Sequence, residues 1–191
     1  RALSSVKIEE ADAGSGISVE THNISFCTEE MYTNALATAG ISDADVVVAA
    51  PFEISGTAAL VGAMKAYGTM TGDVIDSDSA DAATNELVVT GELGESLGKD
   101  EAAQMVALLK NKVVSGDLSS EDDIMNAIDE AADELNVSLT EEQKQKLLDL
   151  MEKINGLDLS IDTLKDQAQG IYDKLKDLDI NLDEAKGFLD K

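Results

Sequence analysis

The segment Asp45-Val-Val-Val-Ala-Ala-Pro-Phe52 narrows the folds open to this chain more than any other. Its centre, Val46 to Ala50, is apolar without alternation. Such a run marks a strand covered on both faces, in the middle of a sheet. Pro51 has no N–H to give to a ladder and marks the strand's end. Helical patterns flank it. Thr28, followed by Glu29 and Glu30, opens the first, because Thr is a good N-cap and acids favour the first turn. Met31, Ala35, Leu36 and Ala39 give that helix an apolar face, and Gly40 suits the residue after its C-cap. Ser55 caps the second, whose small residues Ala58, Ala59, Gly62, Ala63 and Ala66 suit close packing on a sheet. Earlier, Ile17, Val19 and Thr21 alternate with the two-residue period of a half-buried strand. Val6 and Ile8 do the same, and the intervening Ala-Asp-Ala-Gly-Ser-Gly turn predicts an antiparallel hairpin between the two. The fold class is therefore α+β or α/β: a small mixed sheet of three or more strands with two helices, within residues 1–72.

From residue 73 to 191 the pattern predicts an acidic all-helical region, entered through Gly72-Asp-Val-Ile-Asp-Ser-Asp-Ser. The net charge of −25 is unevenly spread: nine acids against three bases through Gly72, and thirty against eleven beyond it. Ala102 to Val114 and Ser120 to Leu135 carry helical spacing. Ala80 to Leu97 is also read as helix, although Val88-Val89-Thr90-Gly91 fits a strand. The stretch 135–190 holds a 21–22-residue repeat: Leu135-Asn-Val-Ser-Leu-Thr140, Leu157-Asp-Leu-Ser-Ile-Asp162 and Leu178-Asp-Ile-Asn-Leu-Asp183. Each ends on a capping residue, and Thr140 with Gln143 matches a capping box. Apolar positions from Leu147 to Leu189 keep 3-4 spacing, as one long coiled coil or a run of short capped helices would. The extended Leu-x-Leu-x-Ile pieces favour short helices.

Composition removes several functions. Nucleic-acid binding needs clustered Lys and Arg, and anionic membranes repel a chain of this charge. Aromatics are 3% with no Trp, which leaves little for stacking sites. No apolar run is long enough to span a bilayer. The single Cys27 cannot form an internal disulfide, and beside a helix start it reads as a small buried hydrophobe. His22 is the one histidine and sits out of register with the apolar positions of its strand, which predicts a solvent-facing or edge position. No nucleophile is paired with a base, so the chain reads as a non-enzyme.

Two places remain for a site. Asp76, Asp78 and Asp81 place oxygens at spacings that suit calcium, but the loop pattern lacks its glycine and its closing glutamate, where Asp81 and Leu87 stand. Asp177-Leu-Asp179-Ile-Asn181 fails likewise, at Leu182 and Phe188. The other place is the carboxyl end of the central strand, where ligands bind in open α/β sheets. Tyr32 and Asn34 on the first helix, with Phe52, Glu53, Ser55, Gly56 and Thr57 after the strand, are expected to meet there. The turn Ser55-Gly56-Thr57 offers free backbone N–H groups.

Arg1-Ala-Leu-Ser-Ser-Val-Lys-Ile, Thr28 to Ile41, Ala44 to Phe52 and Gly56 to Tyr67 resemble the YpuA-like family, domain of unknown function 1002. The likeness continues more loosely through Asn85-Glu-Leu and Leu139-Thr-Glu-Glu-Gln-Lys-Gln-Lys-Leu-Leu. It implies an exported protein of a Gram-positive bacterium, extracellular or in the cell envelope. A signal peptide and a further segment would precede Arg1, where the chain opens in mid-strand. It implies no activity, cofactor or functional residue. The expected role is a non-catalytic interaction or structural module with a protein or cell-envelope partner; the alternatives are a calcium-binding module and an enzyme with a pocket at the strand's end.

Overall fold

The computed structural model describes residues 3–115, 118, 120–157 and 170. Among them the chain forms three strands and six helices: β1 (Ser5–Glu10), β2 (Ile17–Ile24), α1 (Glu29–Thr38), β3 (Ala44–Ile54), α2 (Thr57–Thr71), α3 (Ser77–Leu97), α4 (Lys99–Val114), α5 (Glu121–Glu134) and α6 (Glu141–Asn155). The sheet is mixed, in the order β1-β3-β2. β3 is central as its apolar run predicts, antiparallel to β1 and parallel to β2.

Two expectations are corrected. β1 and β2 do not form a hairpin, because β3 lies between them, with Val46 opposite both Ile8 and Val19. The turn after β1 must therefore span two strand spacings, about 10 Å. Asp43 secures its far end by accepting the Gly16 N–H at 2.8 Å, while the Gly16 carbonyl accepts from the Ala44 N–H. Nor is β3 covered on both faces. Ala44, Val46, Val48 and Ala50 are buried, but Val47 and Ala49 are only half-buried and Asp45 is exposed. α1 packs on β2 and α2 on β1, and side chains at paired positions share the face those helices cover. An unbroken apolar run identifies a central strand; it does not by itself supply a second covering layer.

The Asp43 clamp leads to a prediction. Backbone N–H groups of Gly16 and Gly14 hold its carboxyl below the ordinary aspartate range. A depressed folded-state pKa contributes stability above the unfolded value of 3.8 and loses it as pH falls through the folded value. Asp43→Ala is therefore expected to melt below the wild type at neutral pH. The gap in Tm should close as the medium is taken to strongly acidic pH. A gap that is constant with pH would mean the ionised carboxylate is not the clamp.

Local signals set the helix ends. Thr28 Oγ1 accepts the Met31 N–H, and α1 closes with Gly40 N–H on the Ala37 carbonyl and Ile41 N–H on that of Leu36, a Schellman ending. The capping box at Thr140 and Gln143 is present, with bonds of 2.8 and 3.2 Å. A second joins Ser120 and Asp123 at the start of α5. Ser55 does not cap α2; the N-cap is Gly56, with no side-chain cap. Val88-Val89-Thr90-Gly91 lies inside α3, not in a strand. Its packing against α1, α4 and α6 fixes a helix that local propensity leaves open. α6 ends at Asn155, so the apolar stripe leaves the helix there; the rest of the 135–190 repeat lies outside the described residues.

Two apolar clusters form the core. The first joins the sheet, α1 and α2 to Ala83, Leu87, Ala103 and Ala107. The second joins Val89 and Leu93 of α3 and Met105 and Leu109 of α4 to α5 and α6. Residue 72, the expected boundary, precedes α3, and α3 and α4 contribute to both clusters. No helix of the described residues is long and apolar enough to cross a membrane.

Candidate functional site

The strand's carboxyl end departs from regular pairing. Between the pairs His22↔Ala49 and Ile24↔Ile54, β2 has one residue, Asn23, while β3 has four. Asn23 takes a left-handed φ of 58° and its Nδ2 donates to the Ala50 carbonyl at 2.7 Å. The described pairing of β1 with β3 ends at Ser5↔Ala49, so among the described residues β1 gives the arch no ladder partner. Pro51, Phe52 and Glu53 are accordingly exposed, and β3 runs past Pro51 to Ile54. A proline is tolerated there because no ladder bond is asked of it. Bulges of this kind re-aim side chains at sheet edges and beside sites.

The chain then turns into α2 through 54–56, held from below. The Ser25 N–H donates to the Ile54 carbonyl at 2.9 Å and the Cys27 N–H to that of Ser55 at 3.2 Å. Tyr32 Oη donates to the Gly56 carbonyl at 2.7 Å, and Lys99 Nζ to that of Ser25. Ahead of the turn is a cleft of about 150 Å³, with Leu3 and Ser4 on one side and residues 54 to 58 on the other. Ser55, Gly56 and Thr57 line it. Tyr32 is buried beneath the turn, and Phe52 and Glu53 stand outside the cleft. Asn34 points elsewhere, its Nδ2 reaching the Ala103 carbonyl of α4 at 3.4 Å. Burial pushes the Cys27 thiol up to about 11, against the opposing influence of the neighbouring Tyr32 hydroxyl and the charge of Lys99. Burial likewise raises the Tyr32 phenol, with Cys27 adding to the effect. Neither group is poised to ionise near neutral pH.

Of the acidic candidates, Asp76 has a structural role. Asp76 caps α3, its carboxylate accepting from Asp78 N–H at 2.9 Å and Ser79 N–H at 3.2 Å. Asp78 and Asp81 are exposed on the first turns of α3. Among the described residues no group of three or more His, Cys, Asp or Glu side chains is placed to share a metal ion. Asp177, Asp179 and Asn181 lie outside the described residues. His22 is exposed, its Nε2 3.1 Å from Glu20 Oε1 on the open face of the sheet.

One polar constellation escaped the sequence reading. Glu86 of α3 and Lys110 of α4, both fully buried, pair at 2.8 Å. Lys110 Nζ also donates to the Asn34 carbonyl at 2.8 Å and to Thr38 Oγ1 at 3.0 Å, while the Thr38 hydroxyl donates to the other Glu86 oxygen. Burial holds the Lys110 ammonium below the ordinary lysine range in spite of Glu86. A signal existed. Glu86 lies four residues after Ala82 and before Thr90, and Lys110 four after Val106 and three before Val113, all buried positions. Opposite charges on two apolar helix faces predict a pair. It joins three helices, and neither member lines a described cleft.

Residues 1–171 match the family described as "Protein of unknown function (DUF1002)". The chain is 45% identical over 192 residues to the "Uncharacterized protein YpuA" of Bacillus subtilis (strain 168), covering 100% of this chain and 66% of that relative. The chain thus spans about two thirds of the relative's length. No solved structure matches.

Proposed function

The chain belongs to the DUF1002 family, and from that premise we propose that it serves as a non-catalytic interaction module of an exported or cell-envelope protein. The arch at the end of β3 carries the reading. It exposes 56% of Phe52, one of only three phenylalanines, beside a cleft whose near wall is Leu3, 46% exposed. Aromatic anchors next to small apolar clefts are the usual centres of protein contacts. The neighbouring β3 backbone, without a ladder partner from β1 beyond Ala49 among the described residues, adds hydrogen-bonding groups that an extended partner segment can use. The exported address is supported by the family resemblance of residues 1 to 70.

A photo-activatable residue in place of Phe52 in the full-length protein, expressed in its own cell, is expected to give a discrete adduct with one envelope protein. The same residue in place of Glu121, exposed on α5, gives none. Phe52→Ser should keep the wild-type Tm and weaken binding of that partner, once purified, by about ten- to a hundredfold, as loss of an aromatic anchor does. Recovery of the protein in the cytosol, or turnover of a small molecule by the purified chain, would overturn the proposal.

A further inference from the structure

At the other end of α2, about 22 Å from the cleft by helix length, α1 and α2 end side by side. A crevice of about 530 Å³ opens there, lined by Ala39, Gly40, Tyr67, Asp73, Val74 and Asp76 among others. Its size falls in the range of small-molecule and side-chain pockets. Ala39 and Gly40 close α1 and Tyr67 lies in the last turns of α2, so two helix C-termini meet at its wall. Each carries partial negative charge, and neither has a basic residue in its last turn.

The surroundings add to that sign. The Tyr67 phenol is raised by burial first and then by the carboxylates of Asp73, Glu10 and Asp43. None of these acids is in an ion pair among the described residues, and the Asp73 side chain makes no hydrogen bond there. Asp76 contributes charge while one of its oxygens, Oδ2, caps α3. Part of the wall is apolar. Ala39, Tyr67 and Ile75 line it together with Val74, an aliphatic residue left 93% exposed. A hard metal ion requires several oxygens in one shell, and no such group exists among the described residues. A cation carried on an alkyl chain or a flat guanidinium uses both the charge and the apolar wall.

We propose that this crevice binds an organic cation, an alkylammonium or guanidinium group, with Asp73 as its counter-ion and the Tyr67 ring and Val74 against its carbon atoms. The group can arrive on a free polyamine or on a lysine or arginine of a protein. The site is separate from the Phe52 arch and stands whether or not that arch binds a partner.

The test is a titration of the ¹⁵N-labelled full chain, followed by amide shifts, at about 0.15 M salt to screen diffuse attraction. The probes are spermidine, the capped peptide Gly-Arg-Gly and calcium chloride. Saturable shifts at Gly40, Tyr67, Val74 and Ile75 with spermidine or the peptide support the site, and the tighter of the two identifies the source. Asp73→Asn should weaken that probe about three- to tenfold, and Tyr67→Leu about two- to fivefold, in line with an exposed ion pair and a cation–π contact. Tyr67→Phe keeps the ring and should bind as the wild type, which separates loss of contact from loss of fold. Shifts spread over the acidic faces of α5 and α6, equal binding by Asp73→Asn, or calcium giving the same shifts at lower concentration would each overturn the proposal.

Discussion

Lys110→Met is expected to lower the free energy of unfolding by about 3–5 kcal/mol, the usual cost of stripping one partner from a buried ion pair. The substitution keeps much of the side chain's length and apolar contact, so it removes chiefly the charge. It leaves the Glu86 carboxylate at zero exposure with the Thr38 hydroxyl as its remaining donor, and it takes a donor from the Asn34 carbonyl. The double variant Glu86→Leu with Lys110→Met removes both charges and should recover most of the loss, since replacing a whole buried pair by apolar groups is often near neutral. Urea unfolding of the wild type, the two single variants and the double closes the cycle. A cost below about 1 kcal/mol for Lys110→Met would mean the pair is in contact with water, as surface pairs of that strength are. The consequence is one of specificity. The pair binds α3 to α4, and through Thr38 and Asn34 it binds both to α1, so it fixes how the helical part seats on the sheet layer. The double variant is therefore expected to retain stability while its amides in α1 exchange faster than those of the wild type.

What could be read in the sequence follows from how local each signal is. Val46 to Ala50 identifies the central strand because its neighbours on both sides impose the pattern. The capping box at Thr140 is legible because its three-residue spacing is itself the geometry. The hairpin between β1 and β2 fails because alternation in Val6–Ile8 and Ile17–Thr21 states that both are strands and says nothing about which strand separates them. The arch at residues 50–53 is set by a register shift against Asn23, a partner 27 residues away from Ala50, and no local spacing encodes it. Tyr32 was expected at the strand's end and is there, but beneath the turn as support, a distinction that depends on burial. The crevice at Tyr67 needed Glu10, Asp43 and Asp73 in one place, and these come from three separate segments.

Gly56→Ala is the second substitution expected to cost heavily, at about 2–4 kcal/mol from left-handed strain and overpacking together. Gly56 has φ 91°, a conformation that side chains other than hydrogen rarely take. A Cβ there would lie 2.5 Å from Tyr32 Oη and 2.6 Å from Ile24 Cγ2, both of which belong to the support of the turn. Tyr32 cannot retreat cheaply, because it is buried and its hydroxyl donates to the carbonyl of Gly56 itself. Two comparisons divide the cost. Gly14→Ala, at φ 82° with nothing within 4 Å of the new carbon, should show the strain alone, about 1–2 kcal/mol. Gly56→Ala placed in a Tyr32→Phe background should cost less than in the wild type, since one of the two clashing atoms has gone, while the contact with Ile24 keeps the remainder above the Gly14 value. Equal costs at Gly14 and Gly56 would show that the turn has room. In that case the 54–56 segment would not be held rigidly from below, and the cleft in front of it would be free to change shape with what it binds.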